Sequence, residues 1–325
     1  MALFESAGNL SHEKRGNWDR PPLRDRVTRL LIPLARAYVR YAPFAAGKRW
    51  FWTRVVDPYF AWSPRGFVAS TVFGSRIAGN TRDILQQYIY YFGVWEPHLT
   101  RWMRQRLAPG DTFVDVGANI GYYALLASNL VGDSGRVVAL EASPKIFYAL
   151  QGNLARNRVQ NVRAVNMAVS DSKGVVRLFR GPESNSGRTT IREEFGFEFE
   201  CEVDAAPLSA VLHPEEMQNA RLIKIDVEGA EWSVAAGMGP LLSSGRTDLE
   251  IIVEINPEAL AQQGKRPEDL LRIFARAGFH AYSIENDYSP LSYLPPYAEM
   301  RPVRIRTPIQ WVTDVVLSRQ DSELL

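Results

Sequence analysis

The sequence predicts an α/β fold, a doubly wound and mostly parallel sheet preceded by a helical and hairpin extension. From residue 111 onward, short apolar runs typical of buried strands alternate with stretches whose apolar residues recur at helical spacing. One strand, over 112–116, leads through a glycine-rich turn directly into a helix. Acidic and amide side chains stand at the carboxyl ends of several predicted strands, where open α/β sheets bind ligands.

Composition and charge restrict the possible classes of protein only loosely. Its 325 residues, 46% hydrophobic and 23% charged, are typical of globular proteins. The net charge of +2 is uneven, because residues 20–54 hold nine Arg or Lys and one Asp, a local +8 that leaves −6 elsewhere. A single cysteine, Cys201, excludes an internal disulfide framework and a multi-cysteine zinc site. We expect a cytoplasmic protein, since neither a secretory signal nor an apolar run of ~20 residues is present.

Residues 1–65 are predicted to form a basic, aromatic-rich helical arm. Apolar residues recur at helical spacing from Leu23 to Val39, arginines fill other positions, and an aromatic cluster follows. Such a helix can lie on an anionic membrane surface, which makes residues 22–62 a candidate for peripheral contact with the inner face of the membrane. The simpler alternative, which the sequence favours, is a helix that packs on the body with solvated arginines.

Residues 66–110 are predicted to cap the ligand site with a hairpin and two helices, over 83–92 and 97–107. The main domain, 111–325, is predicted to contain strands over 112–116, 136–140, 162–165, 221–225, 249–255, 279–284 and 311–317. A further hairpin is predicted about residues 171–174, with an edge strand near 202–206. Two long loops, 181–200 and 290–308, are expected to hold or cover a ligand.

The turn D-V-G-A-N-I-G, residues 115–121, is nearly free of side chains. Such a turn lets backbone approach a ligand closely and points the N–H groups of a helix start towards it. Glu141, twenty residues after Gly121, ends the next strand, where an acidic side chain can bind both hydroxyls of a ribose. Nicotinamide and S-adenosylmethionine enzymes share this arrangement. Asp115 would repel a pyrophosphate and suit an ammonium group, so the spacing favours S-adenosylmethionine, with an NAD(P)-dependent oxidoreductase as the alternative.

These motifs resemble the FkbM family of S-adenosylmethionine-dependent methyltransferases over about residues 83–317. The stretches that carry the resemblance are I-Y-Y-F-G-V-W-E-P (89–97), D-V-G-A-N-I-G (115–121), L-E-A-S-P (140–144), N-M-A-V-S-D (166–171) and I-D-V-E-G-A-E (225–231). The resemblance implies a seven-stranded, Rossmann-like class I methyltransferase sheet whose last strand is antiparallel. It also implies methyl transfer to a hydroxyl of a glycan, glycolipid or polyketide-like acceptor.

The resemblance also implies which residues surround the cofactor: Asp115, Gly117, Asn119, Gly121, Glu141, Ala142, Met167, Ala168 and Asp226. Gly117, Asn119 and Gly121 would line the methionine part. Glu141 would bind the ribose, and Met167 with Ala168 would border the adenine. Family members often carry a histidine after the fifth strand, where this chain has Asn256, so the base on the acceptor side stays open.

The candidate catalytic residues are carboxylates at the ends of the fourth and fifth strands: Asp226, Glu228 and Glu254. Any of them can accept a hydroxyl proton. In an alternative interpretation Asp226 holds the amino group of the cofactor, and Glu228 or Glu231 caps the following helix. A Mg²⁺ ion on Asp226 and Glu254 is a less favoured alternative, and we expect no metal.

The expected partner is a small-molecule, glycan or glycolipid acceptor rather than a nucleic acid. Methyltransferases that act on base amines commonly carry D/N-P-P-Y/F after the fourth strand, and this chain reads D-V-E-G at 226–229. A non-catalytic, membrane-peripheral protein that keeps the fold is the remaining alternative.

Overall fold

A computed structural model describes residues 22–42, 47–61, 64–193, 196–244, 246–294 and 300–325. The chain divides into two compact units, Met1–Ser63 and Pro64–Leu325. Residues 1–21 of the predicted arm and Tyr297 of the predicted proline-rich loop lie outside the described residues. Among the described helices, none combines the length and the apolar character needed to cross a bilayer.

The N-terminal unit consists of three helical segments: α1 (Pro22–Tyr41), α2 (Lys48–Phe51) and a π-helix (Trp52–Ala61). Helix α1 is amphipathic and buries Ile32, Ala35 and Val39, which share one face at i, i+3 and i+7. This helix packs against the π-helix, where Trp52 and Val56 are buried. The predicted helical spacing of this segment is confirmed.

The second unit begins with the predicted hairpin, β1 (Gly66–Ser70) and β2 (Arg76–Asn80), followed by α3 (Ile84–Phe92) and α4 (Pro97–Arg106). Asp83 caps α3, because its side chain accepts a hydrogen bond from the Gln86 N–H. Glu96 precedes α4 in the left-handed conformation, with φ of 43°.

The main sheet has the order β12-β11-β13-β10-β9-β3-β4-β5. Its strands are β3 (Thr112–Val116), β4 (Arg136–Glu141), β5 (Val162–Asn166), β9 (Ala220–Ile225), β10 (Glu250–Ile255), β11 (His280–Ile284), β12 (Val303–Arg304) and β13 (Thr313–Ser318). The run from β5 to β10 is parallel, and β13 lies antiparallel between β10 and β11. The predicted seven strands are therefore confirmed, and a two-residue strand, β12, extends the edge.

Helices cover both faces of this sheet, as the doubly wound prediction requires. One face packs against α4, α5 (Tyr122–Val131) and α6 (Pro144–Asn157) around Phe113 and Leu222. The other face, around Val114 and Ile223, packs against helices that come after β8 along the chain. These helices are α7 (Leu208–Val211), α9 (Glu231–Ala236), α10 (Gly239–Ser244), α11 (Pro257–Ala261) and α12 (Pro267–Arg276). A further short helix, α8 (Pro214–Asn219), directly precedes β9 along the chain.

A second sheet corrects the predicted hairpin about residues 171–174. Strand β6 (Ala168–Val169) does not pair with β7 (Gly174–Arg180); both pair with β8 (Glu198–Ala206), which lies between them. The predicted edge strand near 202–206 is therefore a central strand, and it begins at Glu198. Local turn chemistry suggested a hairpin, but β8 offers pairing to both short strands at once.

Candidate active site

The carboxyl ends of three neighbouring strands form the centre of the candidate site. The sheet order reverses at β3, because the chain runs from β3 to β4 and β5 and then returns to β9 on the other side of β3. Asp115 lies near the end of β3, Glu141 ends β4, and Asp226 directly follows β9. A crevice at such a reversal is the usual ligand site of open α/β sheets.

Close packing explains the glycines in the turn after β3. Gly117 has φ of +86°, and a Cβ there would lie 1.8 Å from the carbonyl oxygen of Asp226. Gly121 has φ of +90°, and a Cβ there would lie 2.6 Å from Cδ1 of Leu150 in α6. A larger residue would push the end of β9 or α6 away from the turn. The contact of this backbone with methionine, which the resemblance implies, stays a prediction.

Glu141 is fixed beside the turn by two backbone donors. Its Oε2 accepts from the Asn119 N–H at 2.9 Å, and its Oε1 accepts from the Ser143 N–H at 2.9 Å. Burial raises the pKa of Glu141 to about 7, and the two backbone donors oppose that rise. Each carboxylate oxygen keeps a further lone pair for a hydroxyl donor, so the geometry fits the predicted ribose contact.

Three residues predicted to bind cofactor lie together next to Glu141. The Met167 N–H donates to the Glu141 carbonyl at 3.3 Å, and Asn166 Nδ2 donates to the Ala142 carbonyl at 2.9 Å. Ala142 packs against the small apolar cluster that contains Ala168. The end of β4 and the start of β6 therefore form one continuous wall beside Glu141.

Asp115 is a buried carboxylate without a hydrogen-bond partner. It is 1% exposed, and neither Oδ1 nor Oδ2 makes a hydrogen bond within the described residues. Burial raises the pKa of Asp115 to about 7; Lys224 opposes the rise, Asp226 adds to it, and the nearby Ala124 N–H lowers it slightly. An unpaired buried carboxylate is costly, so this position fits a cationic or donor group of a ligand.

Lys224, which the sequence analysis does not single out, lies among the predicted acidic residues. It is 3% exposed, and its Nζ donates to Oδ2 of Asp226 at 2.7 Å. The ammonium also lies 4.8 Å from the centre of the Tyr123 ring. Burial alone would lower the pKa of Lys224, but the carboxylates of Asp226, Glu96 and Asp115 raise it. A lysine inside the otherwise apolar strand L-I-K-I was the signal for this residue.

Glu96 is a second residue that the sequence analysis missed. It is 4% exposed, and its carboxylate accepts hydrogen bonds from the hydroxyls of Tyr123 and Tyr288, the latter at 3.0 Å. Burial raises the pKa of Glu96, with Lys224 opposing. No local pattern marks this residue, because its partners lie 27 and 192 positions away.

Glu254 and Asp314 face each other across β10 and β13. Although Glu254 keeps some accessible surface, burial raises the pKa of both carboxyls well above their ordinary values, and neighbouring carboxylates add to the rise. Asp314 also accepts a hydrogen bond from Nδ2 of Asn286. The raised pKa of Glu254 disfavours the ionised form that a proton acceptor needs.

Glu228 and Glu231 do not cap α9 with their side chains, in contrast to the alternative interpretation of the sequence. Glu228 has φ of +52°, and Glu231 accepts from the Gly229 N–H at 3.0 Å, ahead of the helix. Burial raises the pKa of Glu228 to about 8, Asp226 adds to the rise, and Arg188 opposes it. Burial likewise raises the pKa of Glu231 to about 7.

Parts of both predicted loops are tied to this rim. Ser186 donates to Oδ2 of Asp83 through its N–H and its hydroxyl, both at 2.7 Å, and Thr190 Oγ1 donates to the Glu228 carbonyl at 2.7 Å. From the loop predicted over 290–308, the hydroxyl of Tyr293 accepts from the Glu96 N–H at 3.3 Å. Described parts of both loops therefore contact residues beside the candidate site, and their role in holding or covering a ligand stays a prediction.

Other candidates have structural roles. Asn256 caps α11, since its Oδ1 accepts from the N–H groups of Glu258 and Ala259 at 3.0 and 3.2 Å. Within the described residues, no three His, Cys, Asp or Glu side chains are arranged to hold a metal ion. A cavity of about 330 Å³ between α9 and α12, lined by Trp232 and Lys265 among others, shares no residue with the site above.

The position of β13 distinguishes between the two enzyme classes that the sequence left open. An antiparallel last strand between the fifth and sixth strands is the arrangement implied for class I S-adenosylmethionine-dependent methyltransferases, and β13 takes that place. The fold and the rim therefore define a methyltransferase of the Rossmann-like class.

Comparison with known proteins gives the family. The family model of the methyltransferase FkbM domain matches residues 115–281, just over half of the chain. The chain belongs to the FkbM methyltransferase family.

Curated relatives are similar at modest identity. The chain is 32% identical to 31-O-demethyl-FK506 methyltransferase FkbM of Streptomyces tacrolimicus, over 41% of this chain and 61% of that protein. It is 28% identical to methyltransferase sdnD of Sordaria araneosa, over 49% and 71%. It is 25% identical to hexuronic acid methyltransferase AglP of Haloferax volcanii, over 56% and 69%. The match to the first of these relatives spans less than two thirds of its length.

Proposed function

We propose that this chain transfers the methyl group of S-adenosylmethionine to a hydroxyl oxygen of a glycan, glycolipid or polyketide-like acceptor. The observation that carries the proposal is the unpartnered, buried carboxylate of Asp115 beside the glycine turn, one strand away from Glu141. A nucleoside with a cationic amino-acid tail satisfies both groups: its ammonium suits Asp115 and its ribose hydroxyls suit Glu141.

The same residues disfavour a dinucleotide. A pyrophosphate at the turn would meet the carboxylate of Asp115, which has no cation bonded to it in the described residues. The backbone of Gly117, Asn119 and Gly121 would hold the methionine part, and Met167 with Ala168 would border the adenine. When bound, S-adenosylmethionine supplies a methyl group activated by the positive charge of its sulfur.

Asp226 is the best placed of the three predicted bases. Its side chain is 29% exposed at the rim and is paired with Lys224 at 2.7 Å. Burial raises the pKa of Glu228 to about 8, so this group mostly holds a proton at pH 7, and burial also raises the pKa of Glu254. Asp226 combines exposure at the rim with an oxygen that is not bonded to Lys224, so we assign the proton-accepting role to Asp226.

The names of two relatives support an oxygen acceptor. One relative acts on 31-O-demethyl-FK506 and another on a hexuronic acid. The carboxylates at the rim can also accept hydrogen bonds from several hydroxyls of one molecule.

Incubation with isotope-labelled S-adenosylmethionine and a lipid and glycan extract tests the proposal. Mass spectrometry is expected to show the label on a hydroxyl oxygen of one acceptor class, and the Asp226→Asn variant should yield far less product. Thermal-shift titration provides the binding control: S-adenosylhomocysteine should raise the melting temperature, and NADH should not. Stabilisation by NADH alone would instead favour the oxidoreductase alternative.

For the N-terminal unit we propose a contact with an anionic membrane surface. Beside its buried face, α1 exposes an apolar row, and α2 adds an exposed tryptophan; these residues are Leu31, Leu34, Tyr38, Tyr41 and Trp50. Arg49 and Arg54 are exposed in the same unit, whose net charge is strongly positive. Apolar side chains flanked by arginines suit the boundary between headgroups and acyl chains.

Vesicle flotation tests this contact. The full chain is expected to float with vesicles that contain phosphatidylserine and to stay unbound with purely zwitterionic vesicles. The double variant Leu34→Ser and Trp50→Ser should lose binding, whereas Tyr148→Ser, which alters a 79% exposed aromatic residue of the other unit, should keep it. Equal flotation of all three proteins would exclude this surface, and a concentration-dependent dimer without flotation would indicate a second copy as its partner.

A further inference from the structure

Lys224 lies in a part of the sheet where a charged side chain is unusual. It belongs to β9, next to Asp115 of β3 in the strand register, and only 3% of its surface is exposed. A buried ammonium is stable only when it is paired and hydrogen bonded. The strand positions on either side of it, Ile223 and Ile225, are fully buried and apolar. The sheet therefore brings this buried cation close to the rim.

The contacts of Lys224 lead to Asp226. The two residues are separated by one position along the chain, so their side chains emerge on the same face. Nζ donates to Oδ2 of Asp226 at 2.7 Å, and the Tyr123 ring lies 4.8 Å from the ammonium on its other side. A charge-assisted hydrogen bond of this length fixes the orientation of the carboxylate and leaves Oδ1 for another partner.

Acidic groups surround this pair from every neighbouring element. The titratable groups that face Lys224 or Asp226 are Glu96, Asp115, Tyr123, Glu228, Glu231, Glu254 and Asp314, with Tyr288 bonded to Glu96. Arg188 is a further cation near these groups, since its charge lowers the pKa of Glu228. Without Lys224, the carboxylate of Asp226 would lose the cation that is hydrogen bonded to it among these acidic groups.

We propose that Lys224 is a positioning residue for the methyl transfer, whose ammonium holds one oxygen of Asp226 and orients the other oxygen so that it can take the acceptor proton. This rests on the proposed function, because it describes how the same site is prepared. In the step, the acceptor oxygen bonds to the methyl carbon as the carbon–sulfur bond breaks and its electron pair stays on sulfur. The hydroxyl proton passes to the free oxygen of Asp226, so the charges balance.

A spectroscopic experiment tests the contact between Lys224 and Asp226 without any acceptor. Protein labelled with ¹³C at the aspartate carboxyl carbons is compared by NMR at one fixed pH, and the Asp226 signal is identified by its loss in Asp226→Asn. We expect the Asp226 signal to shift in Lys224→Met, which removes the hydrogen bond, and to stay near its wild-type position in Lys224→Arg. The matched control is Lys265→Met, which removes a lysine that lies 4.4 Å from the Trp232 ring outside the site. An unchanged carboxylate signal in Lys224→Met would overturn the proposal, whether or not the chain methylates any acceptor.

Kinetic measurements with the acceptor identified in the extract distinguish a positioning role of Lys224 from a general loss of protein stability. Lys224→Met should lower kcat about 10- to 100-fold, with KM for S-adenosylmethionine changed less than about threefold. In the Asp226→Asn background the same replacement should have little further effect, since both act through one carboxylate. If Lys224→Met does not fold, Lys224→Gln, which also removes the cation, is measured instead with the same expected results. Lys224→Arg keeps a cation beside Asp226 and should retain most of the wild-type kcat. Additive losses in the cycle with Asp226→Asn would refute a role through Asp226.

Discussion

Binding of the cofactor product should release protons, and the number follows from two buried carboxyls. The pKa values of Asp115 and Glu141 are both raised to about 7, chiefly by burial. At pH 6 each group is therefore about 90% protonated in the unliganded chain, and at pH 8 about 10%. An ammonium beside Asp115 and two hydroxyls on Glu141 favour the ionised forms. Binding of S-adenosylhomocysteine should then release roughly 1.8 protons at pH 6 and roughly 0.2 at pH 8.

The same linkage between proton release and binding makes the affinity for S-adenosylhomocysteine depend on pH. Because the unliganded chain holds protons that the complex gives up, binding tightens as pH rises through 7. Each group contributes about a tenfold change in Kd between pH 6 and pH 8, or about 100-fold together, which corresponds to about 2.7 kcal/mol. The direction of the two pKa shifts fixes the sign of this pH dependence. If the pKa of either carboxyl were lowered instead, that group would release no proton on binding above pH 6.

Isothermal titration calorimetry in buffers of different ionisation enthalpy measures both quantities. Asp115→Asn and Glu141→Gln should each remove about half of the proton release. Glu141→Gln should also weaken binding by about 1–3 kcal/mol, the usual loss for a hydrogen bond to a charged partner. Glu216→Gln is the matched control, because Glu216 is a buried carboxylate that pairs with Arg163 outside the site. Proton release below about 0.3 at pH 6, with Kd constant from pH 6 to pH 8, would refute the assignment of these two residues to the cofactor.

Three further predictions concern the turn, the base and the loop. Gly117→Ala should destabilise the chain by about 3 kcal/mol or more in urea unfolding, because its Cβ would lie 1.8 Å from the Asp226 carbonyl oxygen, whereas Gly174→Ala, in open space, should change stability by less than about 1 kcal/mol. Asp226→Asn should lower turnover about 10²- to 10⁴-fold with nearly unchanged affinity for S-adenosylhomocysteine; the reverse pattern would make Asp226 a cofactor ligand. Asp83→Ala removes the acceptor of both Ser186 hydrogen bonds, so hydrogen exchange of residues 184–190 should accelerate, and protection equal to the wild type would show that the loop is held elsewhere.

Hydrophobic periodicity and turn chemistry were sufficient to predict the main sheet. Strand β3 begins and ends where the apolar run predicts, and α6 begins at Pro144 behind the predicted Ser143 cap. These features depend on neighbours a few positions apart, which a single sequence displays. The pairing of β6 with β8 was not predicted, because it joins residues 37 positions apart across a loop of no regular pattern.

The candidate site likewise contains residues that local patterns predicted and residues that they did not. Asp115, Glu141 and Asp226 were predicted because each ends a strand, and parallel strands bring their carboxyl ends to one edge. Glu96 was missed because it lies outside the main sheet and its hydroxyl donors, Tyr123 and Tyr288, are far from it along the chain. The choice among three candidate bases also required the fold, since the burial and the partners of each carboxylate depend on residues distant in the chain.

By itself, the sequence determined the doubly wound architecture, the rim on which a ligand binds and the resemblance to a methyltransferase family. Local patterns carry this information, since apolar spacing sets the elements and the order of strands sets their ends. The tertiary structure alone decided that the Asp115 carboxylate oxygens lack a hydrogen-bond partner among the described residues, that Lys224 is bonded to Asp226, and that Glu254 faces Asp314. The state of a charge depends on everything within a few ångströms of it, and those neighbours come from strands and loops far apart in the chain.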